Sequence, residues 1–228
     1  MAIAAPLPTD SGAAAPVALW GARLPSSAGL IASADVVLLS DSERARAASF
    51  VRERDRAQFV LAWALVRRSL SRCSDIPPAA WDFERSPAGK PSIHRRFGSP
   101  LQFSLSHAHG VCLVAITRDR PVGVDIERVD MQAPIESLAH RCMSPAERAA
   151  LEGLPHRARP GRFFELWTWK EAYAKARGLG LSLPFEQICC SAGLRLGPGI
   201  ADDARRWSCG AVAAPPGFRA ALCVGARP

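Results

Sequence analysis

The sequence predicts an α+β fold, because helix-type and strand-type patterns recur in both halves of the chain. Hydrophobic residues make up 48% of the 228 residues, and charged residues make up 22%. This composition supports a packed core and argues against wholesale disorder. No apolar run reaches the roughly 18 residues of a membrane-spanning helix, so we expect no membrane insertion.

The first half of the chain starts with an Ala- and Pro-rich lead-in at 1–16. The apolar run at 34–39 predicts a largely buried strand, and the cap that follows predicts a short helix to residue 48. Apolar residues at spacings of three and four predict an amphipathic helix from 52 to 72. Strand-type segments follow at 81–83, 101–106 and 111–117.

The second half opens with a strand-type segment at 122–127. Helical segments follow at 135–141, 144–153 and 161–176, and strands return near 188–191, 206–212 and 218–224. The turn at 118–121 is the expected boundary between the halves. We therefore predict a lead-in with the first strand region (1–33), an N-terminal α+β half (34–120) and a C-terminal α+β half (121–228).

The cysteines and the net charge indicate the cellular compartment of the protein and the kind of partner that it binds. The seven cysteines include no C-x-x-C pair, which favours small buried side chains over a disulfide frame or a zinc site. The lead-in lacks the basic start of a secretory signal, so a reducing, cytoplasmic location is expected. The net charge of +8 suits a polyanionic partner: a nucleic acid, a nucleotide cofactor or an acidic protein.

Asp125 and Glu127 are the first candidate functional residues. Residues two apart in a strand share a face, so their carboxylates would lie side by side. Oxygen ligands of this kind suit Mg²⁺. The alternative is a strand end with two solvated acids.

Glu171 and Lys175 lie one turn apart on the helix at 161–176 and share a face with Trp167. A carboxylate and an ammonium on one face could hold a metal and a phosphate together. The alternative is an ordinary ion pair on an amphipathic helix. Two of the three lysines of the chain, Lys170 and Lys175, occur in this segment.

Three shorter segments supply further candidates. His107 could contact a phosphate at a strand end, supported by hydrogen bonds from Ser106. Lys90 lies in a Gly-Pro turn that is otherwise typical of the surface. Ser144 and Glu147 form the pattern of a helix-capping box.

In this order, these segments resemble the motifs of the Sfp-type 4′-phosphopantetheinyl transferase family. The resemblance covers roughly residues 40–190, and the ordered set is specific although each motif is short. The matching segments are Gly89-Lys90-Pro91, Phe103-Ser104-Leu105-Ser106-His107, Gly123-Val124-Asp125-Ile126-Glu127, Ser144-Pro145-Ala146-Glu147, Trp167-Thr168-Trp169-Lys170-Glu171-Ala172-Tyr173-Ala174-Lys175 and Gly178-Leu179-Gly180-Leu181.

The resemblance implies two similar α+β halves joined as a pseudo-dimer, with the active site between them, in a monomer. It implies that Asp125, Glu127 and Glu171 bind Mg²⁺, or Mn²⁺ in its place. Lys175 and His107 would contact the pyrophosphate of coenzyme A.

The remaining implied roles are contacts to the nucleotide part of coenzyme A and removal of the proton from the serine that is modified. Lys90 is implied near the nucleotide part of coenzyme A, and Arg46 and Arg56 are looser candidates for its 3′-phosphate. Family members often carry an arginine three positions after the acid of the second helix, and Gln58 stands at that position here. The general base would be Glu171, Glu147 or a metal-bound water.

The function implied is transfer of 4′-phosphopantetheine from coenzyme A to a serine of an acyl or peptidyl carrier protein. The carrier could serve fatty-acid, polyketide or nonribosomal peptide synthesis. One alternative is another Mg²⁺-dependent phosphoryl or nucleotidyl transferase, and another is an inactive family member. A basic nucleic-acid-binding protein is a third, but the sequence lacks an RNA-stacking signature, a helix-turn-helix signal and zinc ligands. We therefore expect no nucleic-acid partner.

Overall fold

The chain divides between Asp119 and Arg120 into two units. The structure is a computed structural model, and it describes residues 17–25 and 31–227. The lead-in predicted at 1–16 lies outside the described residues. In chain order, the elements of unit 1 are β1 (Ala18–Arg23), α1 (Ser33–Val36), α2 (Asp41–Ala48), α3 (Glu53–Ser71), β2 (Phe83–Arg85), β3 (Pro91–Ile93), β4 (Leu101–Ala108) and β5 (Val111–Arg118).

The main sheet of unit 1 is antiparallel and has the strand order β1-β5-β4. The 19-residue helix α3 packs on this sheet and shares a core with it. Leu65 and Leu70 of the helix meet Cys112 and Val114 of β5 in that core. The strands β2 and β3 form a separate antiparallel hairpin.

A two-residue turn, His109–Gly110, joins β4 to β5. Both residues have positive φ, 47° and 84°, as a type I′ turn requires. Glycine at the second position adopts this conformation without steric cost. The turn therefore sets the register in which His107 stands opposite Cys112.

The strand predicted at 34–39 is wrong. Ser33–Val36 forms the short helix α1, and the side chain of Val37 is largely exposed. Asp35 is buried and forms an ion pair with Arg68 of α3. This tertiary contact stabilises a helical turn where the apolar run alone favoured a strand.

Unit 2 begins at Arg120 and repeats the plan of a long helix on a three-stranded sheet. Its antiparallel sheet has the order β6-β10-β9, and the short strands β7 and β8 pair separately. Its elements are β6 (Val122–Arg128), α4 (Ile135–Cys142), α5 (Pro145–Glu152), α6 (Arg159–Arg177), β7 (Ile188–Cys189), β8 (Arg195–Leu196), β9 (Trp207–Ala211) and β10 (Phe218–Gly225).

The long helix α6 packs directly on β6 and β10. A Cβ atom built on Gly123 of β6 would lie 1.9 Å from the Ala172 carbonyl oxygen and 2.4 Å from the Ala176 nitrogen. Only glycine allows this approach, because real Cβ atoms do not come within 3.0 Å of such atoms. Gly178, with φ of 70°, ends the helix in the left-handed conformation.

One pair of cysteines corrects the expectation drawn from the sequence. Cys209 of β9 and Cys223 of β10 stand opposite each other in register and are joined by a disulfide. Register was not visible in the sequence, where the two residues are 14 positions apart. Cys112, Cys142 and Cys190 are buried free thiols, as predicted.

The α+β class predicted from the sequence is confirmed: both units combine helices with antiparallel sheets. Within the described ranges, no helix has both the length and the apolar character that crossing a bilayer requires.

Candidate active site

The acidic pair of unit 2 lies on the face of β6 that packs against α6. Gly123, Asp125 and Glu127 alternate along the strand and therefore share one face. The contact between Gly123 and the α6 backbone identifies this face. The Asp125 side chain is only 4% exposed, whereas Glu127 is half-buried.

The helix α6 contributes Glu171 and Lys175, one turn apart. The Lys175 Nζ atom lies 2.7 Å from Asp125 Oδ1, and its side chain is 29% exposed. Unit 2 therefore brings together four of the charged residues predicted from the sequence: two acids from β6 and an acid and a base from α6.

Burial and mutual repulsion change the acidity of this group. The pKa of Glu127 is raised to about 7, by burial first and then by the charges of Asp125 and Glu171, against the opposing effects of Lys175 and a hydrogen bond from Trp167. The pKa of Glu171 is also raised, by burial first and by Asp125 second, against the effect of Lys175. Because the three carboxylates repel one another in a partly buried environment, a bound cation would stabilise the group.

The donor set fits a hard divalent cation. All three acids offer oxygen ligands, which Mg²⁺ and Mn²⁺ prefer. Among the residues that the structure describes, no three Asp, Glu, His or Cys side chains already stand in a metal-binding arrangement. Asp125 is instead paired with Lys175, so cation binding by the three acids requires side-chain rearrangement.

Glu147 occupies a different environment from the other acids. Its carboxylate and the Lys170 ammonium are 2.6 Å apart, and both side chains are 0% exposed. The carboxylate also accepts hydrogen bonds from the backbone and hydroxyl of Ser144 and from the Cys190 backbone N–H. A carboxylate with all of these partners inside the core is poorly suited to accept a proton from an external hydroxyl. This environment indicates a structural role for Glu147 and disfavours it, relative to Glu171, as the base.

His107 lies on β4 of unit 1 and is exposed. Ser106 is buried and points to the other face of the strand, because successive residues alternate. Gln58 of α3 contacts the His107 ring, with Gln58 Nε2 2.8 Å from His107 Nδ1. Sequence reasoning treated Gln58 only as a departure from a motif.

Lys90 lies at the tip of the β2–β3 hairpin. The turn is closed by hydrogen bonds between Ser86 and Lys90, and Gly89 has a positive φ of 83°. Lys90 is half-buried, and burial lowers the pKa of its ammonium to about 8.

Arg46 lines a cleft of about 480 Å³ in unit 1. The walls of this cleft include Trp63, Phe83 and the exposed cation Arg85, together with the acids Glu43 and Asp82. The aromatic walls and the exposed guanidinium groups of Arg46 and Arg85 suit a ligand that has both a flat ring and an anionic group.

Arg56 lies in the first turn of α3 and is half-buried. Within the part of the chain that the structure describes, its buried Nε atom has no hydrogen-bond acceptor.

Two models of known families match this chain. Residues 121–223 match the family described as the 4′-phosphopantetheinyl transferase superfamily, and residues 25–118 match the 4′-phosphopantetheinyl transferase N-terminal family. Together the two matches cover most of the chain. This chain belongs to the 4′-phosphopantetheinyl transferase superfamily. The resemblance inferred from its motifs is thereby confirmed.

Individual 4′-phosphopantetheinyl transferases are similar to it over part of their length. The transferase HetI of Nostoc sp. is 36% identical over 145 residues, which are 63% of this chain and 61% of HetI. The transferase Sfp of Bacillus subtilis strain 168 is 29% identical over 151 residues, 66% of this chain and 65% of Sfp. The chain thus matches somewhat less than two thirds of the length of these relatives.

Proposed function

We propose that this protein transfers the 4′-phosphopantetheine group of coenzyme A to a serine of an acyl or peptidyl carrier protein, as a monomer. The observation that supports this most directly is the group of facing acids on β6 and α6, with Lys175 beside them. It lies in the part of the chain that matches the transferase superfamily.

Asp125, Glu127 and Glu171 would hold Mg²⁺, or Mn²⁺ in its place. The bound cation would neutralise charge that develops on the pyrophosphate of coenzyme A. Lys175 would contribute a point charge to the same anion. His107 would donate a hydrogen bond to a phosphate oxygen, and Lys90, Arg46 and Arg56 would contact the nucleotide part.

The reaction joins the serine oxygen of the carrier to phosphorus and breaks the bond between that phosphorus and the bridging oxygen of the pyrophosphate. The products are the holo carrier and 3′,5′-adenosine bisphosphate. A serine hydroxyl needs a base to become a good nucleophile. Between the two candidate carboxylates, Glu171 is our choice for that base, because it is only half-buried, whereas Glu147 is fully enclosed in its pair with Lys170.

The carrier partner is proposed on grounds of charge. A net charge of +8 attracts an acidic protein and increases the rate of encounter.

The test is intact-protein mass spectrometry of apo acyl and peptidyl carriers incubated with this protein, coenzyme A and Mg²⁺. We expect a gain of one phosphopantetheine mass that EDTA abolishes. Failure on every carrier, together with no binding of coenzyme A, would contradict the proposal.

The same assay tests the acid group. We expect Glu171→Gln to lower the transfer rate at least about 100-fold, because it removes one anionic oxygen but little volume. Glu165→Gln is the matched control, since Glu165 lies on the same helix in a surface ion pair with Arg162. Equal rates for the two variants would exclude Glu171 from the reaction.

A further inference from the structure

The side chain of Gln58 links His107 to the turn that follows its strand. Gln58 Oε1 accepts a hydrogen bond from the Gly110 backbone N–H at 2.9 Å, and Gln58 Nε2 lies 2.8 Å from His107 Nδ1. All three residues belong to unit 1. One amide therefore contacts both the backbone of the turn and the imidazole ring.

The Gly110 N–H determines which end of the Gln58 amide faces the ring. A backbone N–H can only donate, so it selects the amide oxygen and leaves the NH₂ group facing His107. Gly110 is itself well fixed. It is the second residue of the type I′ turn, and its carbonyl accepts a 2.7 Å hydrogen bond from the Leu24 backbone.

The orientation of the amide in turn determines the tautomer of the ring. An amide NH₂ group can only donate, so His107 Nδ1 must accept and carry the lone pair. In the neutral ring the proton is then on Nε2.

We propose that Gln58 is a positioning residue that holds His107 as its Nε2–H tautomer and so makes Nε2 a hydrogen-bond donor to a phosphate oxygen of coenzyme A. This inference rests on the proposed function, because it takes coenzyme A as the ligand. A phosphate oxygen is an acceptor, and an Nε2 lone pair would repel it. The Nε2–H tautomer supplies a donor even when the ring is uncharged.

The first test observes the ring directly, by ¹⁵N NMR of histidine-labelled protein at a pH of about 8, above the ordinary imidazole pKa. The His107 signals are assigned by their loss in His107→Ala. We expect a protonated Nε2 in the wild type. Gln58→Glu keeps an acceptor for Gly110 but replaces the NH₂ group by an acceptor oxygen, so it should move the proton to Nδ1. An Nδ1–H ring in the wild type, or an unchanged tautomer in Gln58→Glu, would overturn the proposal.

The second test measures coenzyme A affinity by titration calorimetry. We expect Gln58→Glu to weaken binding about 10- to 100-fold, as loss of a hydrogen bond to a charged group does. Gln102→Glu adds the same charge at an exposed position of β4 and should have little effect. In the His107→Ala background, Gln58→Glu should weaken coenzyme A binding hardly any further. If Gln58 acted only by stabilising the fold, its substitution would weaken binding in this background as well.

The outcomes separate the two proposals. If the wild type binds coenzyme A and Gln58→Glu binds equally tightly despite a changed tautomer, the phosphate role of Nε2 is overturned. If the wild type does not bind coenzyme A at all, the proposed function fails, and NMR still decides the tautomer. Repeating the titration with 3′-dephospho-coenzyme A identifies the phosphate: a loss seen with both ligands indicates the pyrophosphate, and a loss seen only with coenzyme A indicates the 3′-phosphate.

Discussion

In unit 1, the carboxylate of Glu43 completes a capping box with Ser40 and also binds Arg67 of α3. In unit 2, the carboxylate of Glu147 completes a capping box with Ser144 and also binds Lys170 of α6. Each unit thus attaches the start of a short helix to its long helix through one glutamate, which is part-buried in unit 1 and fully buried in unit 2.

The cations differ in ways that affect the stability of each contact. Arg67 donates to Glu43 through two nitrogens and also donates to the carbonyls of Pro78 and Trp81. Its planar guanidinium satisfies several acceptors at once, and Glu43 retains 11% exposure. Lys170 also donates to two carbonyls, those of Cys142 and Phe185, but its pair with Glu147 is wholly excluded from water. Removing one partner of the Lys170–Glu147 pair should therefore lower the stability of the fold by more than removing one partner of the Arg67–Glu43 pair.

The largest effect that tests this difference is expected from Lys170→Met. It leaves the Glu147 charge buried without its cation, so we expect a loss of about 3–5 kcal/mol in the free energy of unfolding. Urea denaturation of the purified variant measures it. A loss below about 1 kcal/mol, the value typical of a surface pair, would show that the pair is dispensable.

Double-mutant cycles sharpen the same comparison. The coupling between Lys170 and Glu147 should exceed that between Arg67 and Glu43, because water can partly solvate Glu43 when its partner is removed. Equal coupling energies, or a larger coupling energy in unit 1, would contradict this explanation of the two ion pairs.

The second expected effect concerns how closely each long helix approaches its sheet. Gly123→Ala would force β6 and α6 apart, so we expect a loss of about 1–3 kcal/mol and a further loss of transfer activity as the acids separate. Thermal unfolding and the carrier assay measure the two losses. Gly210→Ala, on β9 of the same sheet, is the control, because its Cβ would meet nothing within 4 Å. Similar losses in both variants would exclude the contact as the cause.

The smallest expected effect comes from the tryptophans that follow each long helix. In unit 1, Trp81 Nε1 donates to the neutral hydroxyl of Ser71. In unit 2, Trp207 Nε1 donates to Asp202, which also accepts from Tyr173 and Arg177 of α6. Only the unit 2 hydrogen bonds involve a carboxylate, so only their contribution to stability should depend on pH.

Burial alone would raise the pKa of Asp202, but the hydrogen bonds of Tyr173, Trp207 and the backbone, with the charge of Arg177, outweigh it and lower the pKa. A carboxyl group whose pKa is lower in the folded than in the unfolded state stabilises the fold. This stabilisation is fully present at pH values above the ordinary carboxyl pKa of about 3.9, and it is lost as the pH falls through the pKa of the folded state. Asp202→Asn should therefore cost about 1–2 kcal/mol at neutral pH and progressively less in acid. Urea unfolding at a series of pH values checks this. A cost that does not change with pH would contradict the charged role.

The sequence predicts some parts of this structure well because local patterns determine them. The apolar spacing of α3 and α6, the alternation in β4 and β6 and the continuous apolar run of β5 predict these elements with shifts of only one or two residues at their ends. The motif order identifies the family. The strand alternation also predicts that Asp125 and Glu127 share a face.

Other features depend on partners that are distant in sequence. The segment at 34–39 is held as a helical turn by an ion pair with Arg68, 33 residues from Asp35. The pairing of Glu147 with Lys170 spans 23 residues and withdraws a candidate base from solvent. Gln58 contacts His107 across 49 residues. One local signal was available: a glutamate already engaged in a capping box is a weak candidate for a second, exposed role.

The approach of Gly123 to Ala172 also limits how this protein can change over evolutionary time. At Gly123 no side chain lies between β6 and α6 that could absorb a substitution by repacking, because backbone meets backbone there. A mutation that shifts this helix displaces Glu171 and Lys175 with it. Divergence in partner choice is therefore expected to accumulate in exposed segments, while the strand–helix pair stays almost invariant.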